Sequence, residues 1–234
     1  MVSCLRVQFS LRDLLLYSAS FSVLLGVEML VLREIKDGSA NDWQLTLDSL
    51  VGCALQSIAL VGMLRLQWPW RGGRLLNPGS WILLISGTAV IIGCGAAVAL
   101  VVCVWNDVLS RESAWTLLIA AAAVPTMLGS LVALRVHYAS GAWAFFFGYH
   151  ALIMAATLAV AVVLHGERLL SVRVYDVLTY AIPSLIVGHL GVLTYALYRD
   201  SCAERARDLL YWVGVIYIGA QHSSYLFFAI AQAK

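Results

Sequence analysis

Long apolar runs, each closed by charges or turn residues, organise this chain from end to end. They fall at about residues 12–33, 47–66, 80–104, 114–136, 141–164, 175–198 and 208–231. Each is close to the ~20 residues an α-helix needs to cross a hydrocarbon core about 30 Å thick. The pattern predicts an all-α fold, a polytopic integral membrane bundle of seven transmembrane helices. Residues 1–234 are expected to form that single domain, with no soluble domain beside it. The connections are short, which favours antiparallel neighbours, and no repeat of fixed period is visible.

Local signals sharpen the boundaries. Ser10 and Asp13 in "SLRD" have the spacing of a capping box, with each residue able to satisfy the other's backbone amide. The run after Arg6 and Arg12 is longer than a signal-peptide core and lacks a small-residue cleavage site, so it reads as an uncleaved first span. Gly148, Ala151, Ala155 and Ala159 recur at helical spacing and predict a stripe of close helix packing, as do Gly93 and Ala97. Pro125 and Pro183 lie inside spans and are expected to bend them. Trp68, Trp70, Trp81, Trp105, Trp115, Trp143 and Trp212 lie near span ends, where interfacial aromatic belts form.

Composition supports the membrane reading. Hydrophobic residues make up 62% of the chain and charged ones 12%, too few charges to cover a soluble globule of this size. The net charge of +2 points to no nucleic-acid partner; the expected surroundings are the lipid bilayer and other membrane subunits. The five cysteines are scattered singly and suggest neither a disulfide framework nor a zinc knuckle.

Seven crossings place the termini on opposite sides. Nine basic residues (Arg6, Arg12, Arg65, Arg71, Arg74, Arg135, Arg199, Arg205 and Arg207) then share the N-terminal side. Six (Arg33, Lys36, Arg111, Arg168, Arg173 and Lys234) share the other. That imbalance predicts a cytoplasmic N-terminus. The opening "QFSLRDLLL" resembles the start of many small bacterial membrane proteins, which implies a bacterial cytoplasmic membrane and no particular activity.

Polar side chains at membrane depth carry the candidate chemistry, because they are costly there. They are Glu28, Gln56, His150, His189 and His222. Counting ~1.5 Å per residue from the span ends, His150 and His189 each lie ~20 Å from the extracytoplasmic side, on consecutive helices. His222 and Gln56 lie ~13 Å from that side, and Glu28 only ~6 Å, where it can snorkel. His150 lies about 200° around its helix from the Gly148 stripe, and so looks elsewhere. With no carboxylate beside them, the three imidazoles are expected to be neutral, and so able to ligate.

Three readings of these histidines remain open. His150 and His189 at equal depth suit axial ligation of haem b. His150, His189 and His222 together suit a copper or zinc ion, though His222 must then close a depth gap of ~7 Å. The plain alternative is that each makes one interhelical hydrogen bond worth ~0.6 kcal/mol and ligates nothing. His137 and His165, at span ends, are expected at the interface.

Several chemistries are excluded or unsupported. No lysine lies in a span for a retinal Schiff base, and no H-E-x-x-H, G-x-S-x-G, phosphate loop or intramembrane aspartate pair is present. No complete catalytic set is visible. The functional expectations are therefore threefold. One is a membrane redox, haem- or metal-associated protein built on the histidines. Another is a small transporter, channel or sensing bundle with a polar path through Glu28, Gln56, Gln221, His222, Ser223 and Ser224. The third is a non-catalytic subunit of a larger membrane complex.

Overall fold

The computed structural model describes residues 10–34, 43–67, 77–166, 172–202 and 209–232. Among them it is all-helical: α1 (Leu11–Glu34), α2 (Trp43–Gln67), α3 (Pro78–Trp105), α4 (Arg111–Val136), α5 (Ala142–Gly166), α6 (Val172–Cys202) and α7 (Leu209–Gln232). A short 3₁₀ turn, Tyr138–Ser140, joins α4 to α5. Each helix lies within about four residues of its expected bounds, since frayed ends are what the hydropathy pattern reads least well.

The helix starts follow from capping chemistry. Asp13 accepts from the Ser10 amide at 2.9 Å, and the Ser10 hydroxyl accepts from the Asp13 amide at 3.2 Å, completing the box that opens α1. Asn77 accepts from the Ser80 amide at 2.8 Å, with Pro78 at the first helical position of α3. Ser110 caps α4 through the Ser113 amide.

Five of these helices, α1 to α5, contain stretches long and apolar enough to cross a membrane among the described residues. Large apolar side chains such as Leu11, Val23, Ile91, Leu128 and Phe145 point outward, as a lipid-facing surface requires. The chain has the character of a multi-pass membrane protein.

The main core gathers Leu83, Trp143, Phe146, Phe147, Leu193, Tyr211 and Ile218. A smaller one joins α1, α3 and α4 through Val31, Ala97, Val101 and Ala114. Helix α7 packs against α2 and α3 as well as α6. Its approach to α3 depends on two glycines. A Cβ on Gly79 would collide with the Tyr211 backbone, and one on Gly214 with the Gly79 carbonyl.

Some packing expectations are corrected. The Gly148 stripe does face a neighbour, Leu134 of α4, and Ala151 is buried, but Ala159 is exposed, so the stripe is covered only in part. Gly93 has open space where its side chain would be, so only Ala97 of that pair packs closely. Trp143 is no belt residue: it is fully buried, because its ring N–H is taken by a carboxylate inside the bundle. Trp68 and Trp70 lie outside the described residues.

Candidate metal centre

Helices α5, α6 and α7 each contribute one histidine to a common point. His150, His189 and His222 are 7%, 1% and 5% exposed. His189 is central, with ring centroids 4.9 Å from His150 and 4.7 Å from His222; His150 and His222 are 6.1 Å apart. One ring nitrogen from each lies within 4.8 Å of the other two. No acidic or cysteine residue joins the group among the described residues.

The depth gap expected for His222 is closed. Depths counted along a sequence assume that all helices end in the same plane. Helix α6 instead runs for 31 residues, to Cys202, about 45 Å and longer than the membrane core. Its ends therefore do not mark the height of His189.

Hydrogen bonding orients the rings. Nδ1 of His222 lies 2.9 Å from the Ile218 carbonyl, which can only accept, so this nitrogen carries the proton. Nε2 of His222 then holds a lone pair, and Nδ1–H of His189 donates to it at 2.8 Å. By the same count Nε2 of His189 holds a lone pair too. That atom and Nδ1 of His150 are buried without a hydrogen bond of normal geometry, although the Phe146 carbonyl lies beside His189.

Aromatic rings hold this arrangement. Phe146 stacks on His189 at 4.5 Å and lies nearly parallel to His150 at 6.2 Å. Tyr149 stacks on His189 at 5.7 Å, and its hydroxyl lies where a side chain on Gly188 would be. That explains the glycine immediately before the histidine. Beside the cluster is a small recess lined by Ile82, Ile85, Ser86, Phe146, Phe147, His150 and Ile218, with room for roughly one water-sized molecule.

Two polar contacts escape a reading of the sequence. Asp200 is buried in the last turns of α6 and accepts from Trp143 Nε1 at 2.7 Å and from the Tyr211 hydroxyl at 2.9 Å. One carboxylate thus ties α5, α6 and α7 together. An acidic residue in the last turns of an apolar helix was its only signal. Asp13 accepts from Arg65 Nε at 2.8 Å, pairing α1 with α2.

The remaining candidates do not gather into one place. Glu28 accepts from Ser49 at 3.5 Å between α1 and α2. Gln56 and Gln221 are half-buried, the Ser224 hydroxyl donates to the Gln221 carbonyl, and Ser223 is exposed on the outer surface. The polar residues around His222 thus point in different directions, because consecutive positions on a helix diverge by about 100°. His137 caps α4 and stacks on Phe147 at 5.6 Å, and the side chain of His165 lies outside the described residues.

What the cluster offers chemically is three neutral nitrogen donors in an apolar shell. Comparison with protein-family models, with characterised proteins and with solved structures finds no match to this chain.

Proposed function

We propose that this chain is a seven-span protein of a bacterial cytoplasmic membrane, with its N-terminus in the cytoplasm, that holds one copper ion, as Cu(I), between His150, His189 and His222. One observation carries the reading: three buried imidazoles from three helices bring ligating nitrogens within 4.8 Å, and Nδ1 of His150 is buried without a hydrogen-bond partner. Hydrogen bonds alone leave that atom unsatisfied, at about 1–3 kcal/mol. An ion at the common point would take one lone pair from each ring and leave fewer buried nitrogens unsatisfied.

The distances suit a single ion. Bonds of about 2.0–2.1 Å place ligating nitrogens ~3.4 Å apart, inside the 4.8 Å that spans one nitrogen from each of the three rings. The His222 Nδ1–H donated to Ile218 is the outer contact that fixes a ligand's tautomer and aims Nε2 inward. Haem is less well supported. Phe146, Tyr149 and His222 pack directly around His189, where a porphyrin would have to lie.

Charge selects the metal. Three neutral donors leave the whole charge of the ion uncompensated, and the cost of burying it rises with the square of that charge. A monovalent ion therefore fits an apolar shell far better than a divalent one, and imidazole accepts copper. The expected crossings by α6 and α7 belong to the same reading. Residues 181–198 of α6 and all of α7 carry no Asp, Glu, Lys or Arg.

Metal analysis of detergent-purified protein tests this. After loading with Cu(I) under reducing conditions and removal of excess, the protein should retain about one copper per chain, and His189→Ala almost none. A protein that retains no copper overturns the reading. A Soret band in the purified protein would favour the haem alternative.

A further inference from the structure

We infer that the recess beside His150 admits a neutral diatomic molecule to the fourth coordination position of the copper ion, so that the centre binds a dissolved gas. This rests on the copper reading above and adds a ligand class to it. Three facts support it. First, three protein ligands leave a position open, the arrangement that distinguishes reactive metal sites from closed structural ones. Second, empty space adjoins the site: His150, a member of the cluster, lines the recess directly. Phe146 and Ile218, two of its walls, precede His150 and His222 by one helical turn, so it lies against the same face of α5 and α7 as the imidazoles.

Third, the size and chemistry of the recess choose the ligand. It has room for roughly one water-sized molecule, so it excludes organic substrates. Its walls include Ile82, Ile85, Phe146 and Ile218, with the Ser86 hydroxyl as the polar group besides His150. A small anion would be drawn by the charge of the copper, but it must shed its water in an apolar recess whose polar groups are the Ser86 hydroxyl and His150. A diatomic gas has little hydration to lose, and it reaches the site through the hydrocarbon of the membrane. Binding forms one dative bond from the ligand to Cu(I) and breaks none, with no net electron transfer.

Carbon monoxide is the probe, and infrared absorption of the copper-loaded, full-length protein the measurement. The expected result is a single C–O stretching band that appears on CO addition and vanishes on its removal. Ile85→Phe, which fills the recess without replacing a ligand, should keep about one copper per chain and weaken CO binding at least tenfold. Ile82→Phe approaches the same space from the preceding turn and serves if Ile85→Phe does not fold. Ile85→Ala, which enlarges the recess, should bind CO at least as tightly as the unaltered chain.

The outcomes separate the two ideas. A chain that holds no copper removes the metal reading and this inference with it. A chain that holds copper and shows no C–O band overturns this inference alone. So does a recess-filled variant that binds copper and takes up CO as readily as the unaltered protein.

Discussion

His189 is the residue on which the cluster turns. It is the most buried of the three histidines, donates to His222, and lies under Phe146 and Tyr149. Its two possible roles have opposite signatures in stability. As a hydrogen-bond donor it contributes about 1 kcal/mol, while its own unpartnered nitrogen subtracts a similar amount. His189→Phe keeps the ring and the stacking, so the copper-free variant should unfold within about 1 kcal/mol of the unaltered chain. As a ligand His189 matters far more. Saturating Cu(I) at 100 times its dissociation constant should stabilise the unaltered chain by about 2.7 kcal/mol and leave the variant unchanged. Thermal unfolding in detergent, with and without copper, reads both numbers. Equal stabilisation of the two proteins would place the metal elsewhere. The sequence makes these residues easy to notice, since a histidine among phenylalanines and alanines stands out at membrane depth. It says nothing of the tautomers, which depend on the Ile218 carbonyl that His222 meets.

At the scale of helices, ligand spacing depends on contacts that contain no ligand. Helix α7 carries His222, and its distance from α3 is set where Gly79 and Gly214 allow the two backbones to touch. Gly214→Ala places a methyl group against the Gly79 carbonyl and must push α7 outward. The expected cost is about 1–3 kcal/mol, with a clear loss of copper affinity although no imidazole has changed. Gly219→Ala is the control on the same helix, with open space at its Cβ and an expected effect within about 0.5 kcal/mol. If both variants bind copper like the unaltered chain, the α3–α7 contact does not set the geometry. This contact was not legible beforehand. Glycines recur in several apolar runs, and the pattern at Gly93 is as suggestive as that at Gly214, yet one faces open space and the other a backbone. Which helices become neighbours decides between them, and short loops specify only consecutive pairs. The helices themselves were legible, because an apolar run of spanning length bounded by charges has few other solutions. The Asp200 tie among α5, α6 and α7 was not, since its donors Trp143 and Tyr211 lie far away in the chain.

At the scale of the whole molecule, the metal reading stands on α6 as a crossing helix. Helices α1 to α5 are plainly apolar enough, whereas α6 carries Arg173 and Asp176 at one end and Arg199 and Asp200 at the other. The stretch between, 181–198, is uncharged and holds His189 near its centre. If α6 crosses, three helices separate the α3–α4 turn from the end of α6, and the two points face opposite sides of the membrane. If it does not, they face the same side. Exposed residues are available at both points: Asn106 caps α3, and Cys202 ends α6. In a chain carrying Asn106→Cys and Cys202→Ser, a membrane-impermeant maleimide should label residue 106 from outside intact spheroplasts. In the chain with its own Cys202, the same reagent should label that thiol only in inverted vesicles. The nine-to-six excess of basic residues on the N-terminal side supplies the sign of this prediction, and the crossing of α6 supplies the opposition. Labelling of both positions from one side would remove α6 from the membrane. His189 would then leave the hydrocarbon, and with it would go the charge argument that selects Cu(I).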